Sequence, residues 1–360
     1  MNRKKFITSL SAASVGAAVL PFSTLAQPSR SEGGDLEGFF KDEPAVIKPP
    51  RLNAGDKLAL VAPGSYISKE ELQDSIKNLN QLGFETTYSE KILLQSGYFA
   101  GTDKDRAEDL MEKFSDKSVN GIVCARGGYG CSRILPLLDY DVIRSNPKVL
   151  IGYSDITALL YGIYQKSGLI SFHGPVSTST FNDYSVDNFK IVLMNPERTS
   201  LFQNSTSGDD ENVYGVTSIV KGKGKGRLVG GNLSIMVSLI GTEFDVDYSN
   251  KIIFIEEIGE EPYRIDRMLT QLIQAEKFYN AAGIMMGIFR KCEVKKESDL
   301  TAKSFTLMEV LKDRLGSLKM PVVYGMSFGH VKDKFTIPFG ALAELDADKQ
   351  TFTLLERAVT

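Results

Sequence analysis

A chain of 360 residues, 42% hydrophobic and 24% charged, has ordinary globular composition and is long enough for two domains that each bury a core. A formal net charge of −3, with no basic arm, argues against nucleic acid or another polyanion as the partner. Cys124, Cys131 and Cys292 form neither a disulfide framework nor a metal-ligand spacing, and read as small buried residues.

Arg3, Lys4 and Lys5 precede a run of apolar and small residues over 6–20, followed by Thr24-Leu25-Ala26. That is the charged, apolar and small-residue order of an export signal over 1–26. The run is too short and too rich in Ser and Ala to remain as a membrane span. Asn2-Arg3-Lys4-Lys5-Phe6-Ile7 is like a twin-arginine signal with Lys4 in place of the second Arg, and no Cys follows for a lipid anchor. The expectation is export to a periplasm, with a polar linker over 27–50.

Residues 57–62 read as a short buried strand. Ser68 and Glu71 form a capping box, Leu72, Ile76, Leu79 and Leu82 recur at helical spacing, and Gly83 ends that helix. A strand over 84–88, a helix over 102–114, a strand over 121–125, a short helix over 132–138, a strand over 148–152 and a helix over 156–166 follow. Such alternation implies parallel strands with right-handed crossovers, and ligands then bind beyond the carboxyl ends of the strands. Between 177 and 214 the composition turns polar, which sets a linker at 181–215 between domains at 51–180 and 216–360. The second half restarts over 227–241, then gives a strand over 251–255, a helix from Tyr263, a strand over 282–289 and a helix over 301–315.

Ser154 falls between a buried strand and an apolar helix, in Ile151-Gly-Tyr-Ser-Asp155. A tight turn there exposes Oγ above the sheet, and the helix N-terminus offers free N–H groups to an oxyanion. The same position also suits a plain helix cap, and the motif is not the G-x-S-x-G elbow. Arg126-Gly127-Gly128-Tyr129-Gly130 follows another strand end, and consecutive Gly lets backbone donors approach a ligand. Lys221-Gly-Lys-Gly-Lys-Gly-Arg227 lacks the Ser/Thr of a phosphate loop and reads as a turn. Gly230-Gly231-Asn232-Leu233-Ser234 reads as a helix entry. The two histidines, His173 and His330, each lie beside Gly in an expected loop, and a serine nucleophile would need one of them as its base. The orienting acid is Glu256 or Glu257, while Glu260, Glu261 and Asp266 read as a solvated face paired with Arg264 and Arg267.

Together these motifs resemble the LD-carboxypeptidase family, which includes murein tetrapeptide carboxypeptidases and microcin C self-immunity proteins. The motifs that carry the resemblance are Ala125-Arg-Gly-Gly-Tyr-Gly130, Leu135-Pro-Leu-Leu-Asp139, Ile151-Gly-Tyr-Ser-Asp155, Phe172-His-Gly-Pro175, Gly230-Gly-Asn-Leu-Ser234, Phe254-Ile-Glu-Glu257, Pro262-Tyr-Arg-Ile-Asp-Arg267 and Gly329-His330. The resemblance covers about 50–356 and implies an α/β fold of two domains. The first would be a flavodoxin-like or amidotransferase-like parallel sheet, the second a smaller α/β domain, with the active site in the cleft between them. It implies a triad of Ser154, His330 and Glu256, and an oxyanion hole from the backbone N–H of Gly128 and Asp155. Substrate contacts would come from among Gly127, His173, Asn232, Arg264 and Arg267. It also implies a homodimer, no cofactor or metal, and a muropeptide tetrapeptide losing its terminal D-Ala. A non-catalytic solute-binding protein, a hydrolase of microcin-like peptide-nucleotides and a metallopeptidase are the competing readings; the last lacks any paired-His motif.

Overall fold

The computed structural model describes residues 44–206, 215–294 and 304–360; the export signal read over 1–26 lies outside them. In chain order the elements are β1 (Lys57–Val61), α1 (Lys69–Gln81), β2 (Glu85–Thr87), α2 (Asp103–Ser115), β3 (Gly121–Cys124), α3 (Cys131–Ile134), α4 (Tyr140–Ser145), β4 (Val149–Gly152), α5 (Thr157–Ser167), β5 (Ser171–His173) and α6 (Asp183–Leu193). Then come β6 (Ser200–Phe202), β7 (Thr217–Val220), β8 (Lys223–Asn232), α7 (Leu233–Leu239), β9 (Lys251–Ile258), α8 (Pro262–Gln274), β10 (Gly283–Arg290), α9 (Leu307–Leu315), β11 (Val322–Tyr324), β12 (Ile337–Phe339), β13 (Leu342–Asp346) and β14 (Thr351–Leu354). No helix among the described residues is long and apolar enough to cross a membrane.

The first sheet runs β2-β1-β3-β4-β5, all parallel, and closes with an antiparallel β12. This is the flavodoxin-like strand order, in which the direction of winding reverses between β1 and β3 and leaves a crevice at their carboxyl ends. Strands β1, β3 and β4 are buried along nearly their whole length, as parallel strands covered by helices on both faces must be. The second sheet has a parallel centre, β8-β9-β10-β11, extended antiparallel by β13, β14 and β6 on one side and by β7 on the other. Helix α8 turns Ile265, Leu269 and Leu272 inward at helical spacing.

Ser68 and Glu71 exchange both hydrogen bonds of the capping box before α1, and Thr102 and Asp105 form a second one before α2. The three cysteines are buried and free. Four features differ from the sequence reading. The polar stretch assigned to a linker carries α6, capped by Asn182, with Phe189, Val192 and Leu193 buried, and β6 pairs with β14 at a sheet edge. Residues 207–214 of that stretch lie outside the described residues. The Lys/Gly run read as a turn opens β8 instead. A Cβ on Gly224 would sit 1.9 Å from the Ala282 carbonyl oxygen, and one on Gly226 would sit 2.3 Å from that of Asn250, so close backbone approach requires glycine at both. His173, expected in a loop, ends β5 opposite Ile337 of β12. Residues 44–50, read as part of a tether, lie against the body: Ile47 bridges Leu169, and Lys48 pairs with Glu356 at 2.8 Å.

Candidate active site

The site grows from the carboxyl ends of the first sheet. After β4, Tyr153 is extended and Ser154 turns abruptly to φ 65°, where a 3₁₀ turn over Ser154–Ile156 leads into α5. A residue with a Cβ pays about 1–2 kcal/mol to hold that left-handed conformation, so the surrounding structure must enforce it. The enforcing contact is the Gly-rich loop after β3. A Cβ on Gly127 would lie 3.0 Å from both Ser154 Cβ and the Asp155 nitrogen. Gly128, at φ 84°, leaves no room either: its Cβ would fall 2.2 Å from Ser65 Oγ. Ser65, beyond β1, in turn accepts from Tyr129 N–H at 3.1 Å and donates its own N–H to the Gly127 carbonyl at 3.1 Å. The Asp155 carboxylate is buried and accepts from Cys131 N–H at 2.8 Å, tying the serine turn to the start of α3. Burial raises the Asp155 pKa, and the Cys131 hydrogen bonds act against it.

The second half of the chain supplies an imidazole and a carboxylate. Glu256 is fully buried in β9, and its Oε2 lies 2.7 Å from His330 Nδ1. Burial would raise the Glu256 pKa, but the His330 and His173 imidazoles outweigh it and hold the carboxyl down at about 2. His330 follows β11 in a loop pinned beside it: Gly329 bridges Ile288, and Arg290 donates to the His330 carbonyl at 3.0 Å. The Tyr153 ring packs edge-on against the imidazole, with centroids 4.9 Å apart. His330 and Ser154 line one cleft of about 360 Å³, together with Gly127, Gly128, Arg126 and Glu71.

Strand geometry separates the two candidate acids. Neighbours on a strand face opposite sides. Glu256 meets His330, whereas Glu257 accepts from Ser234 N–H at 2.8 Å, Ser234 Oγ at 2.7 Å, Ile258 N–H at 2.8 Å and Asn232 Nδ2 at 3.1 Å. Glu257 therefore anchors the start of α7, and burial raises its pKa despite those donors.

The proposed substrate contacts divide. Gly127 lines the cleft. His173 is 1% exposed and lies behind Glu256, 3.9 Å from its Oε1, so it is walled off from solvent. Asn232 caps α7 by accepting from Ile235 N–H and is 5% exposed. Arg264 is held by Tyr263 and Glu260, and Arg267 lies over the Tyr263 ring; neither is among the residues lining the cleft. The cation that does line it is Arg126, 3.4 Å from Glu71 Oε1 and beside Asp74. Sequence reasoning took Arg126 only as the residue before two glycines. Its place just beyond a strand end, two residues before the expected oxyanion donor Gly128, was the signal for it.

The model of the LD-carboxypeptidase N-terminal domain matches residues 58–174, and that of the LD-carboxypeptidase C-terminal domain matches 225–345. The chain belongs to the LD-carboxypeptidase family. Within it, the chain is 39% identical over 305 residues to the probable murein peptide carboxypeptidase of Bacillus subtilis, covering 84% of this chain and 93% of that one. It is 27% identical to the murein tetrapeptide carboxypeptidase of Pseudomonas aeruginosa, over 81% of this chain and 94% of that one. Among solved LD-carboxypeptidase-like structures, the muramoyltetrapeptide carboxypeptidase from Oxalobacter formigenes superposes with a TM-score of 0.71 at 28% identity, covering 83% of this chain and 97% of that one. The structure of MccF in complex with glutamyl sulfamoyl guanosine superposes with a TM-score of 0.80 at 25% identity, covering 87% and 99%. The two-sheet α/β architecture and the enzyme class expected from the motifs are those of this family, a serine carboxypeptidase of the LD type.

Proposed function

We propose that this LD-carboxypeptidase removes the terminal D-Ala from muropeptide tetrapeptides by acyl transfer through Ser154. The observation that carries the reading is the convergence on one cleft of Ser154, strained above the first sheet, and His330, braced by a buried carboxylate from the second. Ser154 Oγ attacks the carbonyl carbon of the diamino acid's L-centre, and His330 Nε2 takes the hydroxyl proton. Glu256 holds Nδ1–H, fixes the tautomer and stabilises the imidazolium that forms. The oxyanion is met by the N–H of Gly128 and of Asp155, neither of which has an acceptor among the described residues. His330 then protonates the departing D-Ala amine, and water releases the acyl group by the same route. Arg126 is suited to the free carboxylate of the substrate, exchanging its pairing with Glu71 for a charge-assisted bond.

The muropeptide substrate is supported by relatives named for murein peptides in Bacillus subtilis and Pseudomonas aeruginosa. Likeness to MccF motivates the second reading, cleavage of an acyl-sulfamoyl or related nucleotide amide. Export through residues 1–26 and a homodimeric state belong to the same proposal; an exported enzyme meets cell-wall peptides. The test is incubation of purified protein with the tetrapeptide and with a glutamyl-nucleotide amide, with products read by mass spectrometry. Loss of one Ala from the tetrapeptide alone supports the muropeptide reading. Cleavage of the nucleotide amide alone would replace it.

A further inference from the structure

Behind the triad carboxylate lies a second imidazole that the reaction above does not use. His173 is 1% exposed at the end of β5, and neither of its ring nitrogens has a hydrogen-bond partner among the described residues. Glu256 Oε1 is likewise buried without one, and the two unsatisfied groups face each other: His173 Nε2 is 3.9 Å from Glu256 Oε1. A buried polar atom left unpaired costs about 1–3 kcal/mol, and here three such atoms share one pocket. The gap is too short for a bridging water, which would need about 4.6 Å between its two partners given normal hydrogen-bond lengths. Aromatic edges close the remaining sides, with Tyr153, Phe254 and Phe328 centroids 6.0, 5.4 and 6.1 Å from the imidazole. The other titratable or charged groups nearby are His330, which occupies the opposite oxygen of Glu256, Lys334 over the Tyr153 ring, and Arg290 on the His330 carbonyl.

We propose that His173 is a positioning residue for the triad, donating from Nε2 to Glu256 Oε1 so that the carboxylate is held between two imidazoles. This rests on the triad reading of Ser154, His330 and Glu256. The second donor fixes the carboxylate plane and draws charge away from Oε2, so Glu256 pulls less strongly on the His330 proton. Removing the donor concentrates charge on the oxygen facing His330, raises the affinity of that imidazole for a proton, and moves the acid limb of reactivity to higher pH.

The experiment follows the rate at which a serine-directed phosphonate labels Ser154 across pH, which needs no peptide substrate. In His173→Phe the acid limb is expected to move up by about half a pH unit or more, with the plateau about tenfold lower for the lost hydrogen bond. In His173→Gln, whose amide can still donate, the limb returns to the wild-type position. Nitrogen-15 NMR of the wild-type imidazoles is expected to place the His173 proton on Nε2, and this decides the matter should the Phe variant not fold. An unmoved limb in folded His173→Phe, or an Nδ1–H tautomer at His173, overturns the proposal while leaving the triad intact. Wild-type protein that is never labelled at Ser154 removes the triad reading and this one together.

Discussion

Ser154, Glu256 and Gly128 each have an environment that makes the cost of replacement specific. Ser154→Ala removes the hydroxyl proposed to be acylated. It keeps a Cβ in the same left-handed conformation, so turnover should fall at least a thousandfold with an unchanged melting curve. Steady-state release of Ala beside a thermal melt checks both halves. Glu256→Gln should cost about four orders of magnitude in kcat, because an amide cannot hold the imidazolium by charge and can favour the wrong tautomer. Glu257→Gln should instead leave kcat within tenfold and destabilise the fold by about 1–3 kcal/mol, since it disturbs the donors gathered at α7; urea melts of the two variants separate these effects. The pH dependence follows from the sign of the Glu256 shift. A carboxyl lowered from its ordinary 4.5 to about 2 contributes stability that is complete above 4.5 and is lost as pH falls through about 2. Glu256 therefore stays ionised wherever an imidazole titrates, and the acid limb of kcat/KM should show a single ionisation of unit slope. A limb of slope two would mean that a second group, such as the Asp155 carboxyl raised by burial, titrates with it.

At the scale of elements, the turns after β1, β3 and β4 form one interlocked unit. Ser65 holds the Gly-rich loop, the loop holds the serine turn, and Asp155 holds α3. Gly128→Ala forces a Cβ into Ser65 and displaces the N–H proposed to meet the oxyanion, so kcat should drop by about 10²–10³ with little change in KM. This unit was partly legible in the chain. The buried β4 run, the apolar α5 and the two glycines were visible as local patterns, and they placed Ser154 correctly at a strand–helix junction. The left-handed φ of Ser154 was not visible, because contacts from a loop some twenty-seven positions away impose it. Glu256 and Glu257 could not be distinguished by periodicity, since a strand buried on both faces shows no alternation. His173 was misread as a loop residue in part because one of its two strand partners, β12, comes more than 160 positions later.

At the scale of the whole molecule, the two sheets are tied together beyond the chain connection. Strand β12 arrives from the second half of the sequence to complete the first sheet, and the Tyr161 and Tyr248 hydroxyls meet at 2.6 Å between α5 and the segment before β9. The proposed triad, drawn from the turn after β4, from β9 and from the loop after β11, demands this, because its geometry survives only if the sheets keep their relation. No local motif could announce such a site. Its members are 102 and 74 positions apart along the numbering, from Ser154 to Glu256 and from Glu256 to His330. For the proposed exo-action, Arg126 is the Lys or Arg among the residues lining the cleft. Arg126→Ala should lower kcat/KM on a free tetrapeptide about tenfold and leave a C-terminally amidated peptide unaffected, whereas Arg264→Ala and Arg267→Ala should leave both unchanged. Parallel progress curves on the two peptides measure the difference. The central claim, L,D-specific removal of one residue by Ser154, is tested most directly by digesting the tetrapeptide, its L-Ala epimer and the pentapeptide ending in D-Ala-D-Ala side by side, with Ala release quantified for wild type and Ser154→Ala. The expected result is release from the tetrapeptide at least about tenfold faster than from the epimer, none from the pentapeptide's last bond, and none by Ser154→Ala. Rapid cleavage of the bond between the two D-Ala residues, or undiminished release by Ser154→Ala, would contradict it.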